Sequence, residues 1–406
     1  MKTVLMAGSA TNHPAGATTQ YHIPSQGAID WTTTEFFSVC PMAGSFEKLY
    51  VEYITTVDAD STKTATVRTG TSGGAMGDSA LTASVSNGTT GNDTVNSAAV
   101  SAGDKVSIKV TGDANSDAEV YRMGMLFTGT ADGQSPIMGG TEDTTATTGS
   151  EYHSLQGRNV WSGTETDKSQ VFPSSGTLGP FYAELSAPLG VGDTATLTVR
   201  IGAAATALVI TFTGAAQVTG NYVASTVAVA AGDRVGIEWS VTGGTPAAVK
   251  VGWGVVFTPD TNGESVQMHV SGSSSATANN YCHPSGRSVV SSTSTARAAL
   301  TPSSDVVCKK FYADHNTAPG AGKSYIYNLL LEGVTAASIT VAETATTVND
   351  TSSTFTVVAG DNLTWELDPV SNPTQQGILR LGFVTYIAPA AAGTAKPSKL
   401  MLMGVG

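Results

Sequence analysis

The sequence repeats itself with a period of 128 to 129 residues, and such a repeat constrains the fold more than any other feature. The tripeptide Ala-Gly-Asp occurs three times, with its glycine at Gly103, Gly232 and Gly360. Eleven residues before each glycine stands an asparagine. These are Asn92, Asn221 and Asn349.

Further landmarks recur at nearly the same period. A hydrophobic residue followed by tyrosine occurs at Leu49-Tyr50, Phe181-Tyr182 and Phe311-Tyr312. A tyrosine and a histidine occur at Tyr21-His22, Tyr152-His153 and Tyr281-Cys282-His283. Another glycine opens a hydrophobic run at Gly124, Gly254 and Gly382. Composition alone does not produce so many landmarks at one period, so we predict three copies, at 1–135, 136–265 and 266–406.

Each Ala-Gly-Asp is followed by alternating hydrophobic residues. They are Val106, Ile108 and Val110, then Val235, Ile237 and Trp239, then Leu363, Trp365 and Leu367. A period of two places one set of side chains on a core face of a β-strand. Short alternating runs also precede the tripeptide, so it joins two strands, with glycine free to adopt positive φ.

The predicted fold class is all-β, with three tandem β-sandwich domains of the jelly-roll type related by a pseudo-threefold repeat. No copy shows a convincing amphipathic helix, and short strands separated by turn residues are typical of sandwiches and jelly rolls. Only 13 % of the residues are charged, whereas 45 are glycines, which suit turns. The links Gly129–Gly133 and Pro259–Gly263 are short, so we expect the domains to touch.

Charge and hydropathy argue against several partners. The net charge is −12 and the sequence has no basic cluster, so we expect no nucleic-acid partner. No stretch approaches the roughly 20 apolar residues of a membrane helix, so we expect no membrane partner. The apolar part of the first ten residues is too short for a signal peptide, so we expect synthesis in the cytoplasm without a cleaved leader.

The three cysteines are Cys40, Cys282 and Cys308. Because three cysteines do not all pair within one chain, we favour free or buried thiols. A bridge between Cys282 and Cys308 remains an open alternative.

Two kinds of metal site are weighed and not favoured. We interpret the recurrent Asp104, Asp233 and Asp361 as turn residues rather than calcium ligands, because calcium binds six to eight oxygen ligands. His22, His153 and His283 would hold zinc only if they met on a pseudo-threefold axis, and the sequence gives no sign that they do. We therefore predict no metal and no cofactor.

We also predict no catalytic residues. The sequence has no Gly-x-Ser-x-Gly elbow, no P-loop and no dinucleotide fingerprint. A catalytic chain has no need of three equal copies of its framework. The interpretation is a non-enzymatic protein.

Two runs in the third copy resemble known protein families. The runs Ala318–Tyr325 and Val357–Trp365 resemble a repeat common in phage structural proteins, and are also similar to trimeric jelly rolls of the complement and tumour-necrosis-factor type and to spore-surface collagen-like proteins. The middle copy matches through Ser186–Asp193 and Val229–Ile237. The first copy lacks the Ala-Pro-Gly turn and matches only at 102–108. Since such jelly rolls commonly work as trimers, the resemblance implies a covalent pseudo-trimer.

Our leading functional hypothesis is a virion structural protein of a tailed phage, decorating the capsid or forming a head appendage. Its partners would be other virion proteins and copies of itself. The alternative is a tail-fibre or cell-surface adhesin that binds a glycan or receptor. A third possibility is a bacterial extracellular filament subunit, which would require export.

Each copy begins with a strand centred on methionine, at Met6, Met138 and Met268, and the final residues 399–406 resemble the start of a fourth copy. We predict that each such strand finishes the preceding sandwich or bridges it to the next. The strand at Val4–Gly8 would then close a ring against the third domain or pair with a neighbouring subunit, because an unpaired edge invites addition.

Overall fold

The computed structural model describes residues 1–9, 15–25, 27, 32–272, 274–287 and 299–389. These residues form an all-β, sandwich-like structure of mainly antiparallel sheets. They contain no α-helix and a single 3₁₀ turn at Glu165–Asp167. The predicted all-β class is therefore confirmed.

Six sheets associate in three pairs, and each pair shares one hydrophobic cluster. Sheet pair 1 contains β1 (Lys2–Gly8), β2 (Thr19–His22), β3 (Ser38–Val39), β4 (Gly44–Val57), β5 (Lys63–Gly70), β6 (Gly77–Val85), β7 (Gly88–Val100), β8 (Lys105–Gly112) and β9 (Tyr121–Gly129). Its two sheets have the strand orders β1-β9-β4-β7 and β2-β8-β5-β6, with β3 beside β8.

Sheet pair 2 contains eleven strands among the described residues. They are β10 (Ser135–Thr141), β11 (Ser150–His153), β12 (Gly157–Asn159), β13 (Gln170–Val171), β14 (Gly176–Leu185), β15 (Thr194–Ile201), β16 (Ala204–Thr213), β17 (Thr219–Tyr222), β18 (Val227–Val229), β19 (Arg234–Gly243) and β20 (Val251–Pro259). The strand orders are β12-β10-β20-β14-β17 and β11-β19-β15-β16, with β18 beside β14 and β13 beside β19.

Sheet pair 3 contains β21 (Glu264–Ser271), β22 (Asn280–Cys282), β23 (Gly286–Arg287), β24 (Val306–His315), β25 (Gly320–Leu331), β26 (Val334–Glu343), β27 (Thr347–Val357), β28 (Leu363–Val370) and β29 (Leu379–Tyr386). The strand orders are β23-β21-β29-β24-β27 and β22-β28-β25-β26. When the strands of each pair are compared in chain order, the main strands are therefore arranged in the same order within the two sheets of all three pairs.

The alternating hydrophobic residues after each Ala-Gly-Asp face the cores, as predicted. All nine of these side chains, on β8, β19 and β28, are at most 1 % exposed. Trp239 and Trp365 are among the largest fully buried side chains, with Trp365 packing edge-on against Phe311 and Phe383. The strand β15, which contains Leu197, runs through the middle of its sheet.

The methionine-centred strands are arranged differently from the prediction that each finishes the preceding sandwich. β10 pairs with β20 and β21 pairs with β29, so each of these strands is hydrogen-bonded to the sheet that follows it in sequence. β1 likewise pairs with β9. Of the two predicted alternatives, the one in which each strand finishes the preceding sandwich is wrong, because the long antiparallel partner of each strand lies in its own sheet pair.

The side chains of the same strands reach the neighbouring cores. Met138 belongs to the hydrophobic cluster of sheet pair 1, and Met268 to that of sheet pair 2. Val4 and Met6 belong to the cluster of sheet pair 3. The contacts are thus cyclic, and the first strand contacts the third core, which is one of the two alternatives predicted for it. The closing segment predicted at 399–406 lies outside the described residues.

Candidate functional site

The Ala-Gly-Asp turns are equivalent in detail. Their glycines have φ of +92°, +93° and +97°, a region that favours glycine. The amide N–H groups of Ser101, Ala230 and Val358 donate to the carboxylates of the aspartates three residues later, at 2.7, 2.8 and 2.9 Å. The recurrent aspartates are therefore turn residues, as favoured over the calcium hypothesis.

Each turn lies against a tyrosine of the next sheet pair. A Cβ added at Gly103 would lie 3.6 Å from a ring carbon of Tyr182, and one at Gly232 would lie 3.9 Å from Tyr312. A Cβ at Gly360 would lie 3.6 Å from the hydroxyl of Tyr50, which closes the cycle onto sheet pair 1. We call these three regions seam 1/2, seam 2/3 and seam 3/1.

The recurrent asparagines belong to the same seams. Asn221 is the cross-strand partner of Tyr182, Asn349 of Tyr312, and Asn92 of Tyr50. Three sequence landmarks that are far apart in each copy thus meet where two sheet pairs touch. Their recurrence is explained by the repetition of one seam.

A proline-containing segment forms the second part of each seam. Pro41 packs on Gly254 and Pro173 packs on Gly382, where an added Cβ would lie 2.8 and 3.4 Å from the proline Cδ atoms. At seam 3/1 the backbone of Pro302 lies 2.9 Å from a Cβ added at Gly124. These glycines recur because a side chain there would overlap the neighbouring backbone. Sequence analysis missed the prolines, although they recur at nearly the common period.

The seams differ in charge. At seam 1/2 the ammonium of Lys105 donates to the carboxylate of Glu184 at 2.6 Å, and the side chains are only 9 % and 4 % exposed. The amide N–H of Gly73 donates to the same carboxylate at 2.9 Å. Both partners are buried, so this pair links the two sheet pairs with a charge-assisted hydrogen bond.

At seam 2/3 the carboxylate of Asp314 holds two guanidinium groups. Arg234 donates twice at 2.8 Å, and Arg380 donates once at 2.7 Å. Arg380 is fully buried and also donates to the backbone carbonyl of Ser169 across the seam at 3.0 Å. Burial lowers the pKa of Arg380.

Seam 3/1 lacks the corresponding cation. Asn362 follows Asp361 at the position that Lys105 and Arg234 occupy in the other copies. Glu52 is paired at 2.9 Å with Arg122 of its own sheet pair, and Thr301 donates to the side chain of Asn362 at 2.8 Å. Because the amide of Asn362 is uncharged, it cannot form the ion pair across the seam that Lys105 and Arg234 form at the other two seams.

Three glycines approach one another where the sheet pairs meet. A Cβ added at Gly157 would lie 2.7 Å from the Cα atom of Gly286, and one at Gly286 would lie 3.0 Å from the Cα atom of Gly27. Gly157 and Gly286 come five residues after Tyr152 and Tyr281, and Gly27 comes six residues after Tyr21. The backbones of all three sheet pairs therefore pack together at one point.

No protein-family model matches this sequence, and no curated protein matches it. The described residues contain no helix long and apolar enough to cross a membrane.

The three histidines do not occupy three equivalent positions. His22 pairs with Ile108 and His153 with Ile237, but the matching partner of Trp365 is Cys282 rather than His283. His22 packs edge-on against Tyr121, whereas His153 packs against Trp161 and Trp253 in another core. The ring centroids are 5.4, 5.1 and 4.8 Å apart.

Within the described ranges, no three side chains of His, Cys, Asp or Glu lie together as a metal site. The zinc hypothesis required the histidines to meet on an axis. In this structure the residues that approach one another are Gly27, Gly157 and Gly286.

The three cysteines are free thiols, and all are buried. No Cys282–Cys308 bridge forms, although both residues belong to the third cluster. Burial raises the pKa of Cys40 to about 12, and it also raises the pKa values of Cys282 and Cys308. Such thiols are poor nucleophiles, because the thiolate is the reactive form.

Proposed function

We propose that the three sheet pairs are three tandem jelly-roll-like sandwiches that form a covalent pseudo-trimer. When β3, β12, β13, β18 and β23 are left out, eight strands remain in each sheet pair. Numbered 1 to 8 along the chain, these strands form two sheets with the orders 1-8-3-6 and 2-7-4-5 in all three pairs. This order results when the strand pairs 1·8, 2·7, 3·6 and 4·5 wrap into two facing sheets, as in a jelly roll. The cyclic seams support a ring in which each sandwich contacts both others.

We further propose that the protein is a non-enzymatic structural protein of a tailed-phage virion, which decorates the capsid or forms a head appendage. The observation that carries this proposal is the closure of the ring by Val4 and Met6 in the third hydrophobic cluster. A ring closed by buried side chains presents three similar outer faces in fixed positions. A molecule with three similar outer faces fits the threefold positions of a capsid lattice, where the same contacts repeat around a symmetry axis.

The partners in this proposal are other virion proteins and further copies of the chain, and the location is the virion. The test uses an antibody against the purified chain and phage particles purified from the same source. We expect mass spectrometry to find the chain in stoichiometric amounts and immunogold labelling to mark the head. Absence of the chain from the particles would overturn the proposal.

The second candidate function is a tail-fibre or cell-surface adhesin that binds a glycan or receptor. A cavity at seam 2/3, lined in part by Trp161, favours it. Labelling of the tail rather than the head in the same experiment would support this alternative.

A further inference from the structure

The three seams differ in how the chain connects the sheet pairs that they join. The link Gly129–Gly133 joins sheet pairs 1 and 2, and the link Pro259–Gly263 joins sheet pairs 2 and 3. Sheet pairs 3 and 1 are connected only through sheet pair 2. A short link keeps the two sides of its own seam at a high effective concentration, which favours closure. Seam 3/1 does not have this advantage.

The same position carries a carboxylate at every seam, but the partners of this carboxylate differ. Glu184, Asp314 and Glu52 each lie two residues after the landmark tyrosine of their copy. Lys105 donates to Glu184 across seam 1/2 at 2.6 Å, and Arg234 donates to Asp314 across seam 2/3 at 2.8 Å. These two seams are therefore held by ion pairs as well as by links.

At seam 3/1 the carboxylate of Glu52 is bound within sheet pair 1. The guanidinium of Arg122 donates to it at 2.9 Å, and the side chains of Arg122 and Glu52 are only 8 % and 16 % exposed. The hydroxyl of Thr301, from sheet pair 3, lies 3.5 Å from the other carboxylate oxygen. The charge of Glu52 is thus compensated without a cation from sheet pair 3.

Hydrogen bonds between uncharged groups cross the interior of seam 3/1. The side-chain amide of Gln267 donates to the backbone carbonyl of Val4 at 3.1 Å, and the hydroxyl of Ser285 donates to that of Met6 at 3.4 Å. Such bonds are roughly half as strong as hydrogen bonds to an ionised group. They do not replace the ion pairs of the other two seams.

The apolar contacts repeat at all three seams. Met6, Met138 and Met268 occupy equivalent positions, each is 0 % exposed, and each belongs to the hydrophobic cluster of a neighbouring sheet pair. Because this contribution is similar at every seam, the links and the ion pairs decide which seam is weakest.

We propose that the ring opens at seam 3/1, where sheet pair 1 turns away from sheet pair 3 while the ion pairs of seams 1/2 and 2/3 stay formed. Local opening takes place where the fewest stabilising interactions must break. The open form uncovers Met6 but leaves Leu5, on the opposite face of β1, in the core of sheet pair 1. The proposal concerns the ring alone and holds for either location of the protein.

The test compares thiol probes at three equivalent positions of the full chain. Met6→Cys, Met138→Cys and Met268→Cys place one thiol each at seams 3/1, 1/2 and 2/3, and peptide mass spectrometry distinguishes these probes from the native cysteines. Under native conditions we expect Met6→Cys to be labelled at least about tenfold faster than the other two, the factor for one hydrogen bond to a charged group. A rate at Met6→Cys that does not exceed the rates at the other two seams would overturn the proposal.

A probe on the other face of β1 separates ring opening from fraying of the strand. Leu5 is 1 % exposed and packs in the core of its own sheet pair, so Leu5→Cys stays covered when only the seam opens. We expect it to be labelled as slowly as Met138→Cys. Equal labelling of Leu5→Cys and Met6→Cys would mean that the strand detaches by itself, and the proposal would then be wrong.

A charge variant tests the cause of the opening. Asn362→Arg supplies at seam 3/1 the cation that Arg234 supplies at seam 2/3, where one carboxylate holds two guanidinium groups. In the Met6→Cys background we expect labelling to slow by about tenfold. Ser338→Arg is the matched control, because it adds the same charge at an exposed position of the edge strand β26, and we expect an unchanged rate.

The reciprocal variant Lys105→Asn gives seam 1/2 the residue found at seam 3/1. In the Met138→Cys background we expect labelling to accelerate by about tenfold. The proposal is overturned if neither Asn362→Arg nor Lys105→Asn changes the rate at its own seam. It is equally overturned if Ser338→Arg slows the labelling of Met6→Cys as much as Asn362→Arg does.

Discussion

Gly254 lies directly against the backbone of Val39, so that a Cβ at Gly254 would overlap the carbonyl oxygen of Val39. The two residues are 215 positions apart and belong to different sheet pairs. Gly382 and Gly124 have corresponding neighbours in Val171 and Thr301. The glycines on β9, β20 and β29, which have no side chain, thus allow the sheet pairs to approach closely.

The first prediction concerns this approach. Gly254→Ala forces the segment around Pro41 away from its strand, and we expect the free energy of unfolding to fall by about 1–3 kcal/mol, as for overpacked cores. Gly163→Ala is the control, because a Cβ there meets no atom within 4 Å. Urea denaturation of both variants measures the difference. Equal midpoints would show that the seam tolerates a side chain.

The second prediction concerns Asp314. Asp314→Ala leaves the buried Arg380 without its carboxylate, and we expect a loss of about 3–5 kcal/mol, as for other broken buried ion pairs. Asp132→Ala is the control, because the side chain of Asp132 is 73 % exposed and its interactions, an ion pair with the N-terminal ammonium and hydrogen bonds from Gly133 and Asn262, lie at the surface. We expect a change of at most about 0.5 kcal/mol there. Denaturation curves that place the two variants together would contradict the role of Asp314 at seam 2/3.

The third prediction is a pH dependence of stability. Burial lowers the pKa of His315 from 6.5 to about 4. Between these values the unfolded chain binds a proton that the folded chain does not, so this contribution is complete above pH 6.5 and is lost as the pH falls towards 4. From the shift we expect a loss of about 3 kcal/mol over this window.

Glu151 acts in the opposite direction, so the wild type alone does not isolate His315. Burial raises the pKa of Glu151 to about 7, which means that the folded state holds a proton there as the pH falls below 7. The measurement is therefore the difference in unfolding free energy between the wild type and His315→Gln at several pH values. A difference that does not change between pH 6.5 and 4 would contradict the prediction.

The fourth prediction concerns the thiols. Because Cys40, Cys282 and Cys308 are buried and their pKa values are raised, we expect none to react with a thiol reagent at pH 8 in the folded protein. All three should react once the protein is unfolded in guanidinium. Rapid reaction of one thiol under native conditions would mean that its surroundings open, and a count below three after unfolding would reveal a disulfide.

The repeat and the strands were predictable because both follow from local rules. The alternation at Val106, Ile108 and Val110 identifies a core-facing strand from side-chain geometry alone. The positive φ of Gly103 follows from the turn that this strand requires. Such features need no knowledge of distant contacts.

The seams were not predictable in the same way. The sequence marks Tyr182, Asn221 and Gly103 as recurrent, but not that the first two face a turn of another copy. The sequence left open whether β10 finishes the preceding sandwich or bridges it to the next, because an apolar strand suits either neighbouring sheet. Trp161 is not a landmark of all three copies. Its counterpart in the first copy is Trp31, which lies outside the described residues, and the third copy has no tryptophan at this position.

The position of Val4 and Met6 in the third cluster has a consequence for synthesis on the ribosome. β1 leaves the ribosome long before β29 is synthesised, yet the cluster that contains Val4 and Met6 also contains Phe383 of β29. At about 5–20 residues per second, the nascent chain holds these apolar side chains uncovered for roughly tens of seconds. During that interval the N-terminal strand of one polysome-bound chain is available to the third core of another. The ring thus makes correct assembly a competition between intramolecular closure and exchange between neighbouring nascent chains.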